Sequence, residues 1–106
     1  MKIRGKNISM TRGDSETLTV KCSDPFEPGD TVYLTMRADA ESEIVLQKAV
    51  TVFGDEGEAV IVLDHADTEG LDFGEYLYDI QVTRADGTVT TLVTPASFTI
   101  EEEVTY

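Results

Sequence analysis

The sequence predicts an all-β sandwich of about seven or eight antiparallel strands, with no disulfide. Three observations carry that prediction. Apolar residues recur with a period of two through most of the chain, the period of a strand with one buried face. Turn signals built on Gly, Asp and Pro break the pattern at short, near-regular intervals. No segment sustains a helical period. At 106 residues the chain forms one domain, 1–106, with 1–6 and 101–106 expected as mobile or edge segments.

Taken in order, residues 8–10 predict a short polar strand at a sheet edge. Thr11 to Ser15 is turn-forming; its Arg12-Gly13-Asp14 tripeptide can be read by integrins, but Gly beside Asp is ordinary turn chemistry. The next strand, 16–23, points Leu18, Val20 and Cys22 inward. Two prolines and a glycine in 24–30 cannot hold a ladder, so this is a loop, with Phe26 tucked into the core edge. Alternation resumes over 31–37 with Val32, Leu34 and Met36 on one face, and 38–43 is an acidic loop. In 44–53, Leu46, Val50 and Val52 share a face that Lys48 interrupts, which implies a bulge or an exposed edge.

Gly54 to Gly57 is a second turn. Residues 58–63 are apolar on both faces, Ala59, Ile61 and Leu63 against Val60 and Val62, as expected of a central strand or a subunit contact. Asp64 and Gly70 bracket one helical turn. The clearest stretch is 71–100. Tyr76, Tyr78, Ile80 and Val82 alternate with Leu77, Asp79, Gln81 and Thr83. Arg84-Ala85-Asp86-Gly87 reverses the chain as a hairpin, Val89, Thr91 and Val93 return, Pro95 interrupts, and Phe98 with Ile100 begins a last strand.

Composition narrows the function. Lys and Arg total 8 against 21 Asp and Glu, a net charge of −13. That field repels phosphate backbones and anionic headgroups, so nucleic acid and membrane surfaces are not expected partners. The lone Cys22 permits neither an internal disulfide nor a Cys-based metal cluster. No apolar run approaches the ~20 residues of a membrane span, and no hydrophobic segment follows Lys2 and Arg4 to make a secretory signal.

The residues assemble no catalytic constellation. The single His65 sits in a polar turn among Asp64, Asp67 and Glu69, where a solvated histidine is expected. Asp64, Asp67, Glu69 and Asp72 could offer oxygens to calcium, but they lack the alternating spacing that aims several at one centre. Close carboxylate pairs follow from composition alone. The expectation is no enzyme, no cofactor and no metal site. Glu101 to Glu103 repel one another and predict a wet tail or edge.

Two motifs carry a resemblance. Leu18-x-Val20-x-Cys22 is similar to the second strand of an immunoglobulin-like domain. Asp72-x-Gly74-x-Tyr76-x-Tyr78 resembles the entry to the sixth strand, with Tyr78 where that family has its second cysteine. The resemblance implies a tyrosine corner at Tyr76, its hydroxyl bonding back to the preceding loop. A second likeness runs through most of the chain. Arg12-Gly13-Asp14, Pro28-Gly29-Asp30-Thr31-Val32, Tyr78-Asp79-Ile80-Gln81-Val82 and Arg84-Ala85-Asp86-Gly87-Thr88 resemble small proteins of Firmicutes phages and prophages. These are similar to the N-terminal Ig-like domain of phage baseplate upper proteins.

That resemblance implies a non-catalytic virion structural protein, made in the bacterial host cytoplasm, that docks to other phage structural proteins. It also implies a homo-oligomer, with a trimer favoured. The expected interaction face is the outward side of paired central strands: Val60, Val62, Leu77 and Leu92. The alternative is an Ig-like adhesion or carbohydrate-binding module, for which Tyr33, Phe53, Phe73 and Tyr106 would have to form an aromatic platform.

Overall fold

The computed structural model describes residues 1–102. Its strands are β1 (Lys2–Arg4), β2 (Asn7–Thr11), β3 (Glu16–Val20), β4 (Thr31–Arg37), β5 (Ile44–Val50), β6 (Ala59–Leu63), β7 (Gly74–Thr83) and β8 (Val89–Glu101), and helix α1 spans His65–Glu69. Six strands form one sheet in the order β1-β2-β8-β7-β4-β5, and β3 with β6 forms a second, two-stranded sheet. The all-β sandwich is therefore the fold, with one departure from the antiparallel expectation. β2 runs parallel to β8, Ile8 lying beside Phe98 and Met10 beside Ile100.

The core lies between the sheets. The large sheet contributes Val32, Leu34, Met36, Tyr76, Tyr78, Ile80, Val82, Phe98 and Ile100, while β6 contributes Ala59, Ile61 and Leu63. Each is the inward member of a period-two run, so local alternation set the face. Burying each such aliphatic side chain contributes about 1.5–3 kcal/mol. Phe26 reaches in from the 24–30 loop as expected and stacks against Phe53, ring centres 5.4 Å apart.

Three local expectations change. Residues 8–10 are not an edge: β1 covers that side, and Ile8 and Met10 are buried. Pro95 does not end a strand. β8 runs through it, gaining one residue between the Tyr78–Ala96 and Ile80–Val93 pairs and another, Leu92, before the Gln81–Thr91 pair. Two bulges thus absorb a residue that cannot donate to the ladder. Residues 58–63 are not a central strand either, because among the described residues β6 pairs only with β3. β5 lies at the sheet edge as Lys48 implied, but its irregularity falls at Val45, between the Met36–Leu46 and Arg37–Ile44 pairs.

Lys48 sits between Leu46 and Val50 on the inward face of β5, and its ammonium meets Asp67 Oδ2 at 3.0 Å. Asp67 also accepts the backbone N–H of Asp64 at 2.8 Å, closing the start of α1. The Arg-Gly-Asp turn leans on the same helix. Gly13 N–H donates to the buried Thr68 hydroxyl at 2.9 Å, and Arg12 lies 4.1 Å over the Phe73 ring.

Candidate docking surface

Two surface regions gather side chains that the sequence scatters. The first is a polar pole where the 24–30 loop meets the β7–β8 hairpin. The hairpin closes as its residues predict: Arg84 N–H donates to Thr88 O at 2.8 Å, Gly87 N–H donates to Arg84 O at 2.9 Å, and Gly87 takes φ of 92°. The geometry throws the Arg84 guanidinium back over the loop. Nη1 donates to Asp30 Oδ2 at 2.9 Å and to Pro25 O at 3.3 Å, and Nη2 to Asp24 O at 2.9 Å. The group also lies 5.3 Å from the Phe26 ring centre.

Asp30 is buried and fully engaged. Its Oδ2 accepts Glu27 N–H at 2.9 Å and its Oδ1 accepts Ala85 N–H at 3.0 Å. The Glu27 amide, the Arg84 guanidinium and the Ala85 amide together outweigh burial and hold the carboxyl below the usual range. The same pairing raises Arg84. Gly29, at φ of 98°, allows the close approach, since a Cβ there would sit 2.9 Å from the Ala85 Cβ. Cys22 is not the buried strand residue expected; it lies past the end of β3, half-buried, 3.9 Å from Arg84 Nη2. The hollow beside this clasp, about 570 Å³, is lined by Asp24, Asp30 and Arg84 of the clasp together with Glu27, Asp86 and Thr90 among others.

The second region is a seam on the flank of the sandwich. Among the described residues β5 pairs only with β4 and β6 only with β3, so two strand edges without a hydrogen-bonded neighbour face each other at the corner where the sheets meet. A hollow of about 330 Å³ separates them, lined by Lys48, Val50, Val52, Val60, Ile61 and Asp64 among others. Its rim is apolar. Val60 is 43% exposed, Val62 47% and Val52 82%. Turn carboxylates of Asp55, Glu56 and Glu58 stand at one end of β6 and Asp64 at the other.

The expected interaction face is thus half assembled. Val60 and Val62 are outward-facing neighbours on β6. Leu77 and Leu92 are not beside them. Leu77 lies on the outer side of the large sheet, facing away from β6, and Leu92 packs partly against the core from the β8 bulge. The physical reason is that β6 and β7 belong to different sheets, so their outward faces point to opposite sides of the molecule. Period-two alternation could locate the outward residues but not the strand neighbours.

Tyr76 does what the resemblance implied. Its hydroxyl donates to Asp72 O at 2.7 Å, and burial, with the Asp72 charge, raises its pKa. Tyr78, in the place of a second cysteine, packs edge-on against Phe98 and donates its hydroxyl to Lys6 O. The aromatic platform does not form among the described residues. Tyr33 lies on the outer face of β4, Phe53 packs on Phe26, and Phe73 lies under Arg12; Tyr106 falls outside the described residues.

His65 is exposed, 3.5 Å from Glu69. Among the described residues, no three His, Cys, Asp or Glu side chains converge on a metal position. The Arg84–Asp30 clasp was missed from sequence, although its partners stand in two of the motifs that carry the phage resemblance. Their opposite charges, in otherwise polar turns, were the available signal.

Comparison with known proteins bears on the fold. The chain is similar to the crystal structure of CopC from Methylosinus trichosporium OB3b, with a TM-score of 0.57 and 17% sequence identity over 94% of this chain and 89% of that one. No protein-family model and no curated protein matches the chain. At 17% identity the likeness is one of fold alone, a β architecture shared across nearly the full length of both chains.

Proposed function

We propose that the chain is a non-catalytic structural module of a phage virion, docking to other virion proteins through the β5–β6 seam. The observation that carries this reading is the open edge of β6. Among the described residues, this five-residue apolar strand, with Val60 and Val62 exposed, has no hydrogen-bonded neighbour on one side. Unpaired edges are templates for a further strand, and folded proteins ordinarily blunt or cover them. The pole supports a non-catalytic reading, because Arg84 and Asp30 are spent on each other and on backbone groups. The turn and strand motifs named above support the virion setting.

The test is mass spectrometry of particles purified after induction of the strain that encodes the chain. The reading expects the protein in a fixed ratio to other structural proteins, and expects Val60→Lys/Val62→Lys to remove it. Particles lacking the wild-type chain would overturn the reading.

A further inference from the structure

A further hollow opens on the outer face of the large sheet, at its β1 end. Alternation with the buried Ile8 and Met10 turns Asn7 and Ser9 outward, and the β1–β2 register sets Arg4 beside Asn7 and Lys2 beside Ser9. β8 extends both rows. Ile8 beside Phe98 and Ser9 beside Thr99 put Ser97 and Thr99 on the same face. These side chains line a hollow of about 260 Å³. Glu101 lines its end, one row beyond Lys2, and Glu75, beside Thr99 on β7, stands outside it.

The donors of this hollow are not spent within the chain. The side chains of Lys2 and Arg4 make no hydrogen bond or ion pair among the described residues, and neither do the hydroxyls of Ser9, Ser97 and Thr99. Asn7 Oδ1 accepts the Ser97 N–H at 3.2 Å, which leaves the NH₂ end of that amide to donate. The neighbouring cations are engaged elsewhere. The N-terminal ammonium meets Glu16 at 3.1 Å, and Lys6 donates to Thr94 Oγ1 at 2.8 Å.

We propose that this hollow binds the phosphate group of a small molecule. Two cations face one carboxylate in a chain of net charge −13, so the local sign is opposite to that of the whole. An ammonium or a metal cation would meet Lys2 and Arg4. A tetrahedral oxyanion instead accepts from several directions at once: paired N–H groups of Arg4, the point charge of Lys2, and the amide and hydroxyl donors beneath them. The net charge still repels a long polyanion, so the ligand is small. The volume agrees, being short of the roughly 300–1,000 Å³ of pockets that hold drug-sized ligands. The site is independent of the β5–β6 seam, since β1 and β5 are opposite ends of the six-stranded sheet.

The test follows amide chemical shifts of the isotope-labelled full chain by NMR as inorganic phosphate is added at a constant ionic strength of about 0.1 M. Saturating shifts are expected at residues 2–4, 7–9 and 97–101, with a dissociation constant on the order of 1 mM. Lys2→Gln/Arg4→Gln is expected to weaken binding by about tenfold, while Lys2→Arg/Arg4→Lys keeps it within about threefold. Glu101→Gln is expected to tighten it. All three side chains are exposed, and circular dichroism verifies that each variant is folded. Glycerol phosphate binding more tightly than inorganic phosphate assigns an ester as the source, and the reverse assigns the free ion; either upholds the proposal.

No saturation by about 20 mM phosphate overturns it. So do equal shifts from chloride, or a Lys2→Gln/Arg4→Gln variant that binds like wild type. A single-stranded oligonucleotide that binds the same residues more tightly than phosphate would make the ligand a polyanion and overturn the proposal as well.

Discussion

The Arg84 pole and the β5–β6 seam are both surface hollows made where two elements meet, yet they are chemically opposite. At the pole Arg84 and Asp30 are both fully engaged. Asp30 accepts two backbone amides and a guanidinium, and that guanidinium also reaches two loop carbonyls. At the seam, among the described residues, two strand edges lack a hydrogen-bonded neighbour and three valines stand exposed. Polar residues in a hollow invite a functional reading, but satisfied polar groups only fix the loop they bind. The less polar region is the one that the described residues leave uncovered.

The comparison breaks most readily at the pole. Phe26→Ala removes the ring on which Arg84 and Phe53 both lean, and is expected to cost about 3–5 kcal/mol in denaturant unfolding. A loss below about 1 kcal/mol would mean that the loop is not anchored there. Tyr76→Phe deletes the corner hydroxyl alone and is expected to cost about 0.5–1.5 kcal/mol, leaving self-association unchanged.

Asp30→Asn sharpens the polar half of the comparison through pH. The Asp30 carboxyl is held below its ordinary value of 3.8 in the folded state. Its contribution is therefore complete above that value and is lost as pH falls through the lowered one. Asp30→Asn is expected to flatten this acid limb of the thermal midpoint, with Asp39 and Asp86, also lowered, supplying what remains. An acid limb identical to wild type would show that the clasp does not depend on ionised Asp30.

The smallest stability effect belongs to the seam. Val60→Lys/Val62→Lys replaces exposed side chains and is expected to change unfolding by no more than about 0.5 kcal/mol per site, while abolishing association. Unfolding of that variant would place the valines in the core instead.

These contrasts follow what was legible in the sequence. Alternation located the inward faces of β4, β6 and β7, because which face a residue takes is a local property. The Asp-Gly hairpin and the Tyr76 corner were legible for the same reason, each being complete within a few residues. Strand neighbours were not. The parallel pairing of β2 with β8 and the placing of β6 beside β3 join distant segments, and no local period encodes them. That is why alternation marks Val60, Val62 and Leu77 as outward but does not tell that Leu77 and Leu92 belong to the other sheet. Pro95 misled because a bulge and a strand end share the same local signal. The clasp escaped because Asp30 and Arg84 are 54 residues apart.

The most direct test of the central claim, that the β5–β6 seam is the docking surface, is amide hydrogen exchange followed along the chain as protein concentration is raised. The account predicts that amides of residues 58–64 become slower to exchange with concentration, while those of the 84–88 hairpin do not change. Protection that rises elsewhere and leaves 58–64 untouched would contradict it.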